Sequence, residues 1–246
     1  TGVQTCALPI YLAELRRDSR SGAAEIEQRA TQLLLNVVAG SYPTDAASYR
    51  RWLVRSGREL IATQPAMGAL FRLVNDLLWA CDGIESGEQL RVKALAFLQE
   101  RQLQTEIALK HLSRYAAEWL APLPAVMTYS RSSTVLRALK AVAATRQRIR
   151  VYCGEGRPML EGQTLANELA WAGLKVTLGI DMALFGWLGE VKALLIGADA
   201  LSATGLVNKV GSTALVAAAA ERDIPRVALC STFKFLPTEF QLGQGL

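Results

Sequence analysis

The sequence predicts an α/β protein in which a helical N-terminal domain precedes a Rossmann-like domain built on a parallel sheet. Three observations lead there. Residues 11–122 carry their apolar side chains mostly at three- and four-residue intervals, the period of amphipathic helices. From residue 123 to 246, short near-continuous apolar runs alternate with helical stretches at the spacing of β-α-β units, as in a parallel sheet covered on both faces. Pro122 and Pro124 stand where the pattern changes, and proline ends helices.

Thr1–Ile10 (TGVQTCALPI) reads as the translation of a common sequencing-adapter oligonucleotide and is set aside with Cys6. Ala23–Val38 is the first amphipathic helix, stopped by Gly40-Ser-Tyr-Pro43. Thr44 or Asp45 caps the next helix, which carries Tyr49, Trp52, Leu53, Leu60 and Ile61 and breaks at Pro65. Met67–Cys81 forms another, Asp82-Gly83 a turn, and Ser86–Leu120 one long helix with Leu90, Ala94, Phe97, Leu98, Leu109, Leu112 and Trp119 on its apolar stripe. The second half predicts strands in AVMTYS from Ala125, and at Arg148–Cys153, Lys175–Ile180, Lys192–Gly197 and Arg226–Ser231. Helices are expected at Ser132–Ala144, Gln163–Ala172, Met182–Leu188 and Ser212–Arg222.

The composition narrows the function. The chain of 246 residues is 51% hydrophobic and 20% charged, with a net charge of +5 spread without a strong basic patch, so a nucleic-acid footprint is not compelling. No apolar run is long enough to span a bilayer. The four cysteines lie far apart without metal-ligand spacing, and His111 is the single histidine, which fits a reduced, cytoplasmic protein without disulfides, zinc or another cofactor. Cys153 and Cys230 end apolar strands and read as small buried residues, and the Met and Trp positions read as core.

Ligands of open α/β sheets bind beyond the carboxyl ends of the strands. There the sequence places Ser130, Ser132 and Ser133 after the first strand, Arg157 after the second, Asp181 after the third and Asp199 after the fourth. Asn208 and Lys209 open the Ala-rich helix that follows, and Ser231-Thr232-Phe233-Lys234 follows the last strand. Arg157, Lys209, the serine hydroxyls and helix N-termini suit a phosphate; Asp199 and Asp181 suit proton transfer or recognition of sugar hydroxyls. Taken singly, each has a plainer role: Ser132 and Ser133 as helix caps, Arg157 as the partner of Glu155 or Glu161, Asp199 as a loop residue.

Three stretches carry a more specific signal: GEGRPMLEGQTLANELAWAGLKVTLGID, LLIGADALSATGLVNKVGSTALVAAAAERDIP and CSTFKFLP. With QPAMGALFRLVN from Gln64 to Asn75 and MTYSRSSTVLRAL from Met127 to Leu139, they resemble one family. It unites the alpha, beta and delta subunits of translation initiation factor 2B, methylthioribose-1-phosphate isomerase and ribose-1,5-bisphosphate isomerase. The matching segments are Glu155-Gly156-Arg157-Pro158, Gly197-Ala198-Asp199 and Asn208-Lys209-Val210-Gly211. The resemblance implies a C-terminal fold shared with ribose-5-phosphate isomerase and CoA transferases, a homo-oligomer (dimer or hexamer), and a phosphorylated sugar or nucleotide as ligand.

In the isomerase branches, the resemblance implies a Cys/Asp pair that converts an open-chain aldose phosphate to a ketose. The Asp matches Asp199, but Ser130 stands at the position of the Cys. A serine hydroxyl is a far weaker acid than a thiol, whose pKa is about 8.5. Gln163 replaces a second arginine of the pattern, and Gly156 a serine. These departures favour a protein similar to the alpha subunit, binding a phosphorylated ligand without turnover; the competing reading is an active isomerase using Asp199, and a weaker third is a different enzyme in which Ser130 polarises the substrate. The resemblance also implies a further strand and tail beyond Pro237, so the chain reads as a fragment open at both ends.

Overall fold

The computed structural model describes residues 7–40, 43–145 and 148–237. Cys6, Ser41-Tyr42 of the expected helix stop, and the segment after Pro237 lie outside the described residues.

Helices α1 (Ala7–Arg17), α2 (Ala23–Ala39), α3 (Ala46–Ile61), α4 (Gly68–Ala80) and α5 (Gly87–Leu120) form the N-terminal half. Asp45 caps α3 by accepting the Ser48 amide at 2.8 Å, and Ser86 caps α5. Their apolar stripes meet in one core built on Ile26, Tyr49, Leu60, Leu70, Leu73, Leu90 and Leu98. Burying side chains of that size stabilises by about 1.5–3 kcal/mol each relative to leaving them in water. α5 has 34 residues, which at 1.5 Å each makes a rod about 51 Å long. Its first half lies in this helical core; Ala116 and Leu120 at its far end lie in a second core, against the sheet.

The second half alternates as expected: β1 (Ala125–Thr128), α6 (Ser133–Ala144), β2 (Arg150–Gly154), α7 (Glu161–Trp171), β3 (Lys175–Gly179), α8 (Ala183–Gly186) and β4 (Leu194–Ile196). A short hairpin, β5 (Ala200–Ser202) and β6 (Gly205–Val207), precedes α9 (Ser212–Ala220) and β7 (Arg226–Ala228). The five-stranded parallel sheet has the order β3-β2-β1-β4-β7. α6, α7 and the end of α5 cover the face bearing Val126, Val151 and Leu195; α8 and α9 cover the face bearing Met127, Tyr152 and Leu194.

The structure departs from the expected elements in three ways. The antiparallel β5–β6 hairpin was not expected, because its three-residue strands are too short to show a period. β3 is an edge strand and is not covered on both faces: Leu178 is exposed, as is Ile180 just beyond it. The core reading of the Trp and Met positions is corrected at Trp79, Trp119, Trp171, Met159 and Met182, all exposed. Helical spacing shows that residues share a face, not that the face has a partner, and Trp79 and Trp171 stand in the last turns of α4 and α7.

Buried charges tie the layers together. Arg131, just after β1, donates to Glu25 of α2 at 2.7 Å and to Glu168 of α7 at 2.8 Å. Within the helical half, Arg101 of α5 is 5% exposed, lies 3.2 Å from Glu27 and 3.0 Å from Asp76, and stacks over the Phe233 ring. Burial pushes the Glu27 carboxyl above its ordinary value, and Arg101 opposes that rise. Replacing Arg101 by Met leaves the Glu27 charge buried without its partner, which costs about 3–5 kcal/mol in urea unfolding at neutral pH. A carboxyl whose folded pKa is raised contributes less stability as pH rises through that value, so the Arg101→Met deficit shrinks as the pH falls and Glu27 takes up its proton, and grows as the pH rises.

Candidate functional site

The strand order reverses at β1. β2 and β3 lie to one side of it, β4 and β7 to the other, so the loops after β1 and β4 leave the sheet in divergent directions. A crevice opens there, the usual ligand position of such sheets. It forms a cavity of about 140 Å³ lined by Ser130, Ser132, Gly197, Asp199, Asn208, Lys209, Glu161 and Lys234, and by Asp18–Ala23 and Met67 of the helical half.

The sheet half of the pocket is set by close backbone packing. Ser132 caps α6, accepting the Val135 amide, and its side chain lies so near Gly197 that a Cβ there would sit 2.6 Å from the Ser132 Oγ. Only glycine lets the β1 and β4 loops approach this closely. Asp199 is fixed at both backbone groups. Its N–H donates to the Val207 carbonyl at 2.8 Å, and its carbonyl accepts the Gly68 N–H, from the start of α4, at 3.0 Å. The hairpin missed from sequence is therefore what holds Asp199 in place. Tyr129 secures the next loop by donating its hydroxyl to the Val210 carbonyl at 2.8 Å. Burial, then the Asp181 and Glu161 carboxylates, push this phenol up to about 12, so it stays a donor.

Helices α2, α4 and α6 each bring their N-terminal end to the cavity, through Gly22-Ala23, Met67 and Ser132. Those ends carry partial positive charge, and their Gly22, Gly68 and Val135 N–H groups are taken by Glu25, the Asp199 carbonyl and Ser132. Arg20, Lys209 and Lys234 add cationic side chains to the lining. Lys234 is buried and donates to the Ala198 carbonyl. Desolvation raises the Asp199 carboxyl above its ordinary value; Lys234 and Lys209 pull it back without cancelling the rise, and Glu161 adds to it. Burial in turn lowers Lys234, with Asp199 opposing.

Of the residues singled out in the sequence, Ser130, Ser132, Asp199, Asn208 and Lys209 come together in this cavity. Asn208 donates its side-chain amide to Ser212 at 3.0 Å, and Lys209 pairs with Glu161 at 2.7 Å. Ser130 has a left-handed backbone, φ 65, and donates its hydroxyl to Glu161 at 2.8 Å. Ser133, Arg157 and Asp181 lie outside the lining. Ser133 is buried as the first residue of α6. The Arg157 side chain turns to solvent beside Glu155. Asp181 braces the loop after β2, accepting the Gly156 and Arg157 amides at 2.8 Å each. Sequence reasoning missed Glu161 and Arg20 as pocket residues and placed Lys234 only in a loop. The amphipathic pattern of α7 offers no hint that its first residue faces a cavity.

The geometry defines a class: an open α/β protein with a charged pocket at its strand-order reversal, enclosed by helices of a second, N-terminal half. The chain belongs to the initiation factor 2 subunit family, whose pattern matches residues 19–245. A ribose 1,5-bisphosphate isomerase of Haloferax volcanii is 30% identical over 96% of this chain and 71% of its own length. Among solved structures, the translation initiation factor eIF-2B of Pyrococcus horikoshii superposes with a TM-score of 0.83 at 24% identity, covering 96% of this chain and 82% of that one. A chain of the tetrameric eIF2B beta2-delta2 complex of C. thermophilum gives 0.82 at 23% identity, covering 97% and 81%. Among the described residues, no helix is long and apolar enough to cross a membrane.

The opposition of Lys234 and Asp199 yields a direct test. Lys234→Met removes the cation that contributes most to holding the Asp199 carboxyl down. The Asp199 side-chain carbon, followed by NMR, then titrates at a higher pH than in the unaltered chain, and an unchanged midpoint overturns the assignment.

Proposed function

We propose that the chain is a sugar-phosphate isomerase of the aldose–ketose type, acting on a phosphorylated ribose-like sugar held open-chain between β1 and β4. The observation that carries this reading is Asp199: a carboxylate of raised proton affinity, with its backbone pinned on both sides, inside a charged pocket. The similarity to a ribose 1,5-bisphosphate isomerase supports it.

The helix N-termini and Arg20 hold the phosphate. In a sugar phosphorylated at C1, the bond from C1 to the ring oxygen breaks, the C2 hydrogen moves to C1 with its electron pair, and the C2 hydroxyl becomes the carbonyl. Asp199 takes the proton from the C2 hydroxyl and delivers it to the released ring oxygen, a role that needs a carboxyl able to hold a proton nearer neutrality than a solvated one. Asn208 and Lys209 orient the sugar hydroxyls, and Arg157 and Asp181 act indirectly, by shaping the loop after β2. By the same family likeness, the working form is a homo-oligomer, a dimer or a hexamer.

A second reading has a specific observation behind it. Ser130 offers a hydroxyl where the resemblance expects a thiol, which favours a protein that binds a phosphorylated sugar or nucleotide without turning it over.

Both are tested by incubating the chain with ribose 1,5-bisphosphate, methylthioribose 1-phosphate and nucleoside monophosphates, measuring binding and ketose formation. Turnover is expected with a sugar phosphate, and Asp199→Asn lowers it by about 10²–10⁴-fold with little change in affinity. The rate rises with pH through an Asp199 pKa above the ordinary carboxylate value. Binding without turnover, with activity appearing in Ser130→Cys, establishes the second reading; no binding of any phosphorylated ligand removes both.

A further inference from the structure

Lys234 enters the pocket from a segment that the helical half grips at the residues on either side of it. It ends the short turn Thr232–Lys234 that follows β7 and is 2% exposed. Its ammonium donates to the carbonyl of Ala198, the residue before Asp199. On one side, the Phe233 ring lies 3.9 Å from the Arg101 guanidinium. On the other, the Phe235 carbonyl accepts the Arg72 guanidinium at 3.5 Å. A Cβ on Gly68, at the start of α4, would lie 3.1 Å from the Lys234 carbonyl oxygen, so the segment and α4 touch there too. The β5–β6 hairpin holds the segment from the sheet half, where the Leu236 N–H donates to the Leu201 carbonyl at 2.7 Å.

Arg72 and Arg101 are themselves fixed by a ladder of alternating charges. Asp76 accepts the Arg72 Nε on both oxygens, at 3.0 and 2.9 Å, and Arg101 at 3.0 Å; Arg101 also donates to Glu27 at 3.2 Å. Shared between carboxylates of α4 and α2, the Arg101 guanidinium is held in one plane, and a planar guanidinium so held is a platform for an aromatic ring. Neither Phe233 nor any member of the ladder lines the cavity. On the reading of Asp199 as the proton carrier of the pocket, we infer that Phe233, stacked on Arg101, is a positioning residue: it sets the depth of the 232–236 segment and so brings the Lys234 ammonium to the loop that carries Asp199. Asp199 also feels Lys209 and Glu161, Lys234 also feels Cys230 and Glu27, and Asp18, Arg20 and Arg131 complete the charged lining. Phe233 bears no charge, and replacing it alters none of these groups. A change in the titration of Asp199 on replacing Phe233 therefore reports where Lys234 sits.

The experiment is a double-mutant cycle on the full chain: unaltered, Phe233→Leu, Lys234→Met and the two together, with the Asp199 side-chain carbon titrated by NMR in the absence of ligand. Leucine keeps an apolar side chain and gives up the ring. The expected result is that Phe233→Leu raises the Asp199 midpoint, in the same direction as Lys234→Met, and shifts it no further once Lys234 is gone, the non-additivity of two residues acting through one contact. Where the unaltered chain turns over a sugar phosphate, the rising limb of its pH–rate profile moves with the midpoint. A purely structural role for Phe233 lowers the melting temperature and leaves the midpoint in place, which overturns the inference. An equal shift with and without Lys234 overturns it as well. Should Phe233→Leu fail to fold, Phe233→Met, which also changes no charge, is read by the same cycle. Because the midpoints are read without substrate, absence of turnover in the unaltered chain removes the isomerase reading alone.

Discussion

The pocket depends on the contact between Gly197 and Ser132, where the chain leaving β4 passes within van der Waals reach of the cap of α6. Parallel strands on either side of β1 send their helices to opposite faces of the sheet, and the crevice between the departing loops is unavoidable. Its width is not. A side chain at 197 would wedge the two loops apart and carry Asp199 away from Ser130. The small size of one residue thus sets how closely the loop that carries Asp199 approaches the start of α6.

Around that contact some charges are paired within one half of the chain, as Lys209 with Glu161, and others across the boundary between the halves. Arg131 of the sheet half reaches Glu25, whose second task is to accept the Gly22 N–H at the start of α2. The same carboxylate therefore holds the N-terminus of α2 at the cavity and clamps α2 to the sheet. Lys234, at the end of the described chain, sits between Asp199 and the buried Glu27–Arg101 pair and feels both carboxylates. The proton affinity of Asp199 is consequently set by groups contributed by distant parts of the sequence.

Much of the fold was legible in the sequence because its determinants are local. The apolar runs of β1, β2 and β4 and the three-and-four spacing of α2 and α5 are direct consequences of burial. The sheet side of the site was legible too, since Ser130 and Asp199 follow expected strands and Lys209 opens the expected helix. What escaped was set by contacts across the chain. Glu161 reads as an ordinary acid in the first turn of a helix, and only the left-handed Leu160 and the side-chain-free Gly156 turn it inward. Arg20 lies in a loop of the helical half, whose proximity to β1 no periodicity encodes. Arg157, by contrast, stands in a phosphate-binding pattern yet faces solvent, because Asp181 takes up the backbone amides beside it and the side chain has no carboxylate partner inside.

The rod formed by α5 has a consequence for how such a protein can be taken apart. Since Leu90 and Leu98 anchor it in one core and Ala116 and Leu120 in the other, no flexible joint separates the two halves. The sheet half also borrows the starts of α2 and α4 to finish its cavity. It is therefore not a module that can be excised, transplanted or recombined at the proline-marked junction and keep its binding site; the smallest portable unit is the helical half and the sheet together.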